Sequence, residues 1–108
     1  MKGTLRQRYR YIAVRLIPSQ EVDNFEFEKR LQKALLLKLG EIDYSLSMPR
    51  VLFYNHSSAI IRTRREGIEK TSLGLALISK FGTEKIHIRS VFTSGTILGC
   101  KNKLSKKK

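Results

Sequence analysis

The 108-residue chain carries 22 Lys and Arg against 9 Asp and Glu, a formal charge of +13 at pH 7, and such an excess implies a polyanionic partner, nucleic acid first. The length suits one domain over residues 1–100, able to bury roughly 65% of its unfolded surface, followed by a basic flexible tail over 101–108. No run approaches the 18 or so uncharged apolar residues that cross a bilayer, the charged start precedes no secretory leader, and one cysteine with 2 histidines excludes an internal disulfide and the usual closed zinc site. A reducing, cytoplasmic setting is the expectation. An anionic membrane is the weaker candidate partner, because the helical segments mix both charge signs rather than presenting a lysine-rich polar face.

Met1 to Leu5 reads as a loose lead-in. From Arg6 to Ile17 the residues alternate as a strand: Ile12, Val14 and Leu16 share a core face, and Tyr9, Tyr11, Ala13 and Arg15 share the other. Pro18 and Ser19 end it. Asp23 and Glu26 then form a capping box, with Val22 and Phe27 placed as its hydrophobic staple, and the helix runs to about Leu39, where Gly40 is placed to stop it. Phe27, Leu31, Ala34 and Leu35 make its buried face, and its lysines read as a solvated one.

Glu41 to Pro49 reads as a connection, although Ile42, Tyr44 and Leu46 alternate. Arg50 to Asn55 and Ala59 to Arg64 form a hairpin around the turn formers Asn55-His56-Ser57-Ser58. In its second strand Ala59, Ile61 and Thr63 face one way, and Ile60, Arg62 and Arg64 the other. A second helix is predicted over Arg65 to Ser79, with Gly74 marking a close approach to a neighbour. The last strand is predicted over Lys85 to Phe92, with Ile86, Ile88 and Phe92 on one side and Lys85, His87 and Arg89 on the other. Beyond the Thr93-Ser94-Gly95-Thr96 turn, Ile97 to Cys100 suggests a short helix, and the lysine-rich remainder is too polar to fold alone.

The order strand, helix, strand, strand, helix, strand predicts an α+β, ferredoxin-like βαββαβ sandwich, with a four-stranded antiparallel sheet, both helices on one face and the opposite face free. That free face would gather Tyr9, Tyr11, Arg15, Arg62, Arg64, Lys85, His87 and Arg89, with Lys101 from the tail beside them. Cations that follow a phosphate backbone, combined with rings that stack on bases, suit RNA. The same positions also read as ordinary solvent-facing strand residues of a basic protein, with the tyrosines half-buried at a sheet edge.

The aromatic signature of the RNA recognition motif is missing from Ser57 to Arg64. Ser94-Gly95-Thr96 reads as a turn, or as a backbone approach to an RNA phosphate. Catalysis finds little support: His56 sits in a turn, His87 on a strand and Cys100 near an end, and no acidic pair lies close in sequence. An acylphosphatase-like enzyme using Arg15 and Asn55 is the alternative from another class, but Ile17-Pro18-Ser19-Gln20 lacks the glycines that would wrap backbone amides around a phosphate. A ribosomal or other structural RNA-binding protein is the alternative within binding modules.

Three segments in order, Arg8-Tyr9-Arg10-Tyr11-Ile12, Ile60-Ile61-Arg62-Thr63-Arg64-Arg65-Glu66-Gly67 and Ser94-Gly95-Thr96-Ile97 followed by Cys100-Lys101, resemble the ribonuclease P protein component 2 family, whose element order matches nearly the whole chain. The resemblance implies a ferredoxin-like subunit of the archaeal ribonucleoprotein that removes the 5′ leader from precursor tRNA. It implies that ribonuclease P RNA holds the catalytic magnesium and that the protein itself binds no cofactor. It also implies pairing with a barrel-shaped component 3 subunit, with room for a homodimer within a heterotetramer. The short basic tail fits an archaeal origin.

Overall fold

The computed structural model describes residues 8–106, so the expected lead-in at 1–5 and the last two tail lysines lie outside the described residues. The elements run β1 (Tyr9–Ile17), α1 (Asn24–Ser47), β2 (Arg50–Tyr54), β3 (Ser58–Arg64), a 3-10 turn (Arg65–Gly67), α2 (Ile68–Leu77), β4 (Lys80–Phe81), β5 (Glu84–Lys85), β6 (His87–Ser94) and α3 (Ile97–Lys106). The main sheet is 4-stranded in the order β2-β3-β1-β6, and every neighbouring pair is antiparallel. This is the ferredoxin-like arrangement: β1 and β3 lie in the centre because the two strand-helix-strand units interleave.

Alternation along β1 sends Ile12, Val14 and Leu16 to the inner face. There they pack with Phe27, Leu31 and Leu35 of α1, Ala59 and Ile61 of β3, and Leu75 of α2. The start of α1 is built as its residues dictate: Asp23 Oδ1 accepts from the Glu26 N–H at 2.8 Å, and Phe27 is fully buried with Val22 packed against the same core. The hairpin between β2 and β3 turns on Asn55, whose Oδ1 accepts from the Ser58 N–H at 2.8 Å and the Ser58 hydroxyl at 2.8 Å.

Several boundaries differ from the sequence reading. Gly40 does break the helix, with φ 84° and ψ 166°, but a second helical segment follows it to Ser47 within α1. The residues read as a connection therefore belong to a kinked helix. Met48 in the left-handed region caps it, its N–H donating to the Tyr44 carbonyl. The second helix is shorter than expected, beginning at Ile68 after the 3-10 turn and ending at Leu77. Gly67, in that turn, lies so close to Ser47 that an added Cβ would stand 2.6 Å from the Ser47 Cα. Around this approach Thr63 Oγ1 donates to the Ser47 carbonyl at 2.9 Å, Thr71 Oγ1 lies 3.0 Å from Thr63 Oγ1, and Ser47 Oγ donates to the Gly67 carbonyl at 3.3 Å.

The predicted last strand is two elements. Lys85 belongs to the small hairpin β4-β5, opposite Lys80, and β6 starts only at His87. A register shift against Ala13 and Val14 then leaves Val91 as the extra residue, with Phe92 opposite Ala13 and Ser90 opposite Val14. A bulge of this kind overrides simple alternation, so Phe92 shares the outer face with Ala13 instead of the inner face with Ile88.

The outer face is also not free. α3 crosses it, burying Cys100 and Leu104 against Ala13 and Ile60, with Tyr11, Phe53, Val91 and Ile97 packed around them. Residues 101–106 are thus helical rather than a flexible tail. Ile97, Cys100 and Leu104 recur at the spacing of one helix face, and the polar remainder is held in a helix because that stripe docks on the sheet.

Candidate nucleic-acid interface

Alternation and register together place Arg15 of β1, Arg62 and Arg64 of β3 and Arg89 of β6 on the outer face, whereas Arg10, opposite Thr63, falls on the other, and α3 divides the outer cations into two groups. At one end, Tyr9 pairs with Arg64 and Tyr11 with Arg62 across the β1-β3 ladder. The Arg62 guanidinium lies 4.3 Å from the centre of the Tyr9 ring, a cation–π pair between diagonal neighbours. Arg62 Nε is buried without a hydrogen-bond partner. The stack fixes the guanidinium plane, a planar cation of the kind that pairs with phosphate. Arg8, exposed at the same end, accepts at its carbonyl from the Arg65 N–H at 2.9 Å, so the turn after β3 brings the exposed Arg65 beside it.

At the other end, Arg15 and Arg89 are directly opposite on β1 and β6. Like charges in that position repel, and Arg15 relieves part of this by donating from Nη2 to the Leu104 carbonyl at 3.4 Å. A cation at the last turn of α3 also opposes the negative end of the helix dipole. Arg15 therefore anchors α3, while Arg89 is exposed. Between the groups α3 supplies Lys101, 5.6 Å from the Phe53 ring, and Lys103, 5.4 Å from the Phe92 ring.

The expected residues separate accordingly. Tyr9, Arg62 and Arg64 come together at one end, Arg15 and Arg89 at the other, and Lys101 joins them from α3. Lys85 does not join them, because it stands on the β4-β5 hairpin. His87 is exposed at the far end of β6, opposite Ile17. Tyr11 is half-buried against the cluster beneath α3, and its carbonyl accepts from the Cys100 thiol at 3.2 Å. Burial pushes the Cys100 thiol above its ordinary value.

The Ser94-Gly95-Thr96 segment is a turn, as one of its two readings expects, joining the end of β6 to α3. Thr96 Oγ1 accepts from the Gly99 N–H at 3.1 Å as an N-cap, and Ser94 Oγ accepts from the Thr96 N–H at 3.1 Å. Asn55 is taken up by its turn, which removes it from the phosphatase-like role weighed for it. Among the described residues no group of three or more His, Cys, Asp and Glu is placed to hold a metal. Sequence reasoning missed Lys103, Phe53 and Phe92; the helical spacing of Ile97, Cys100 and Leu104 was the signal for the helix that organises them.

Fold and surface together define a small basic α+β sandwich of ferredoxin-like topology. The chain belongs to the Rpp14/Pop5 family, whose model matches residues 10–105. It is 32% identical over 106 residues to "Ribonuclease P protein component 2" of Archaeoglobus fulgidus, covering 95% of this chain and 96% of that one. It is 33% identical over 102 residues to the protein of the same name from Pyrococcus abyssi, covering 93% and 86%. Among solved structures, a chain of yeast ribonuclease MRP seen by cryo-EM superposes with a TM-score of 0.69 over 96% of this chain and 94% of that one; at 12% identity the likeness is one of fold.

Proposed function

We propose that this protein is an RNA-binding subunit of ribonuclease P that assists the catalytic RNA in removing the 5′ leader from precursor tRNA. The observation that carries the reading is the match to archaeal ribonuclease P protein component 2 relatives along 93% or more of the chain. The basic outer face supports it, since phosphate neutralisation by cations is the main source of sequence-independent RNA affinity. Tyr9, Arg62, Arg64, Arg89 and Lys101 are assigned to the RNA, with Arg15 acting through α3. In this reading the magnesium of the reaction belongs to the RNA subunit, and the protein contributes charge and shape. Component 3 is the protein partner, precursor tRNA the substrate and the cytoplasm the compartment; no helix among the described residues is long and apolar enough to cross a membrane.

The test is precursor tRNA cleavage by ribonuclease P RNA at low magnesium, with and without this protein, in the presence of a component 3 partner. Stimulation that depends on this chain supports the subunit role. Absence of stimulation, with RNA binding intact and the other components competent, rejects it in favour of a structural RNA-binding protein.

A further inference from the structure

The helix side of the molecule holds a second feature. One face of α1 and the segment from Ile78 to Glu84 enclose a groove of about 800 Å³, within the range of ligand-binding clefts. Ala34 and the buried Ile78 give it an apolar floor, and the exposed Leu37, Lys33, Lys38 and Lys80 line it as well. Leu37 is 78% exposed, so its side chain is available to an apolar group seated beside the lysines. These lysines are uncommitted. Arg30 is tied to Glu26 at 3.0 Å and Glu84 at 3.9 Å, whereas among the described residues no carboxylate lies within 4.0 Å of Lys33, Lys38 or Lys80. Lys80 also stands directly opposite Lys85 across β4-β5, where like charges repel.

Uncommitted lysines beside an apolar floor select an occupant with both kinds of group. A nucleic acid would meet the cations but leave Leu37 and the floor unused. Phe81, the groove's aromatic residue, is 6% exposed and offers no ring on which a base could stack. An extended peptide uses both kinds of group: alternate side chains point opposite ways, so apolar residues enter the floor while carboxylates stay within reach of the long lysine side chains, and the groove's own carboxylate, Glu84, is paired with Arg30 at 3.9 Å.

We propose that this groove docks an acidic segment of a partner protein, one that alternates carboxylates with leucine-sized side chains. The groove lies on the helix side and the arginine clusters lie on the outer sheet face, so a protein and an RNA can be held at once. The proposal does not depend on the RNA reading.

The test is an amide-shift NMR titration of the full chain with a synthetic peptide of alternating Glu and Leu, about six residues long, and separately with a uridine hexamer. The peptide should bind saturably, with shifts concentrated at 30–38 and 78–84. Its Kd should rise about tenfold in Lys33→Glu/Lys80→Glu and also in Leu37→Ser, a variant that leaves every charge in place. Both changes are at exposed positions, and the dispersion of the spectra checks that the variants fold. Three results would overturn the proposal: no peptide-induced shifts up to millimolar concentration, equal binding by wild type and Lys33→Glu/Lys80→Glu, or movement of these amides by the uridine hexamer instead of the peptide. The cleavage assay reports separately on the RNA reading, so either conclusion can fail alone.

Discussion

Replacing Gly67 with Ala tests whether this glycine is required by a backbone approach. Gly67 has φ −107° and ψ 10°, outside the left-handed region, so an alanine there is not excluded by its own backbone. The obstacle is Ser47: the new Cβ would stand 2.6 Å from its Cα, 2.7 Å from its Cβ and closer still to its Oγ. Carbon atoms in comfortable contact sit about 3.5–4.0 Å apart, so the turn and the end of α1 must separate by roughly 1 Å. Overpacking of this kind costs about 1–3 kcal/mol. The shift also strains the buried Thr63 hydrogen bond to the Ser47 carbonyl, 2.9 Å long, and a buried polar group left unpaired costs about 1–3 kcal/mol.

Against this, the smaller conformational freedom of Ala in the unfolded chain returns about 0.4–1 kcal/mol. The expected net loss is about 2–4 kcal/mol, or a fall in Tm on the order of 10 °C or more, read by urea and thermal denaturation followed by circular dichroism. Gly74→Ala is the internal control. Its Cβ would meet Leu35 Cδ2 at 2.9 Å and Leu39 Cδ2 at 3.1 Å; both are ends of flexible side chains, and Ala gains about 1 kcal/mol in a helix. The change should stay within about 1 kcal/mol. The reasoning fails if Gly67→Ala is as stable as wild type, or if Gly74→Ala is the more damaging of the two.

Three further outcomes are expected. Arg62→Ala should weaken RNA binding and lower the slope of log affinity against log salt by about 0.7–0.9, and Arg62→Lys should recover the charge but not the full affinity, because an ammonium cannot reproduce the planar stack on Tyr9; equal slopes for wild type and Arg62→Ala in a salt titration would remove Arg62 from the interface. Leu104→Ala should loosen α3 without unfolding the sandwich, seen as faster reaction of Cys100 with a thiol reagent while far-ultraviolet circular dichroism changes little, and an unchanged labelling rate would refute the idea that Leu104 holds the helix down. Burial raises the folded-state pKa of Cys100, Tyr44 and Tyr54, so the unfolded chain releases these protons first. Their contribution to stability is present below about pH 9 and declines as pH rises through the folded values; urea midpoints measured between pH 7 and 10.5 should therefore fall, and a flat profile would contradict it.

Local rules in the chain were enough to place the core. Alternation in β1 and β3 assigns Ile12, Val14, Leu16, Ala59 and Ile61 to one face, and Asp23 with Glu26 marks the start of α1. Both depend on periods and hydrogen bonds within a few residues, which survive without knowledge of the rest of the fold. The element order then leaves the ferredoxin-like sandwich as the natural closure.

The candidate site was legible only in part, because it depends on register and docking. Tyr9 and Arg62 are 53 positions apart and meet through the β1-β3 ladder. One extra residue at Val91 turns Phe92 to the other side, and alternation cannot reveal such an insertion. Lys85 left the face because the chain breaks into a separate hairpin before β6. The helix α3 is the largest difference. Its Cys100 and Leu104 are too few to hold a lysine-rich helix alone, and they do so only where Ala13 and Ile60 leave a shallow apolar seat on the sheet. Charge and periodicity belong to the chain itself; which cations share a surface is settled by strand register and by the helix that lies between them.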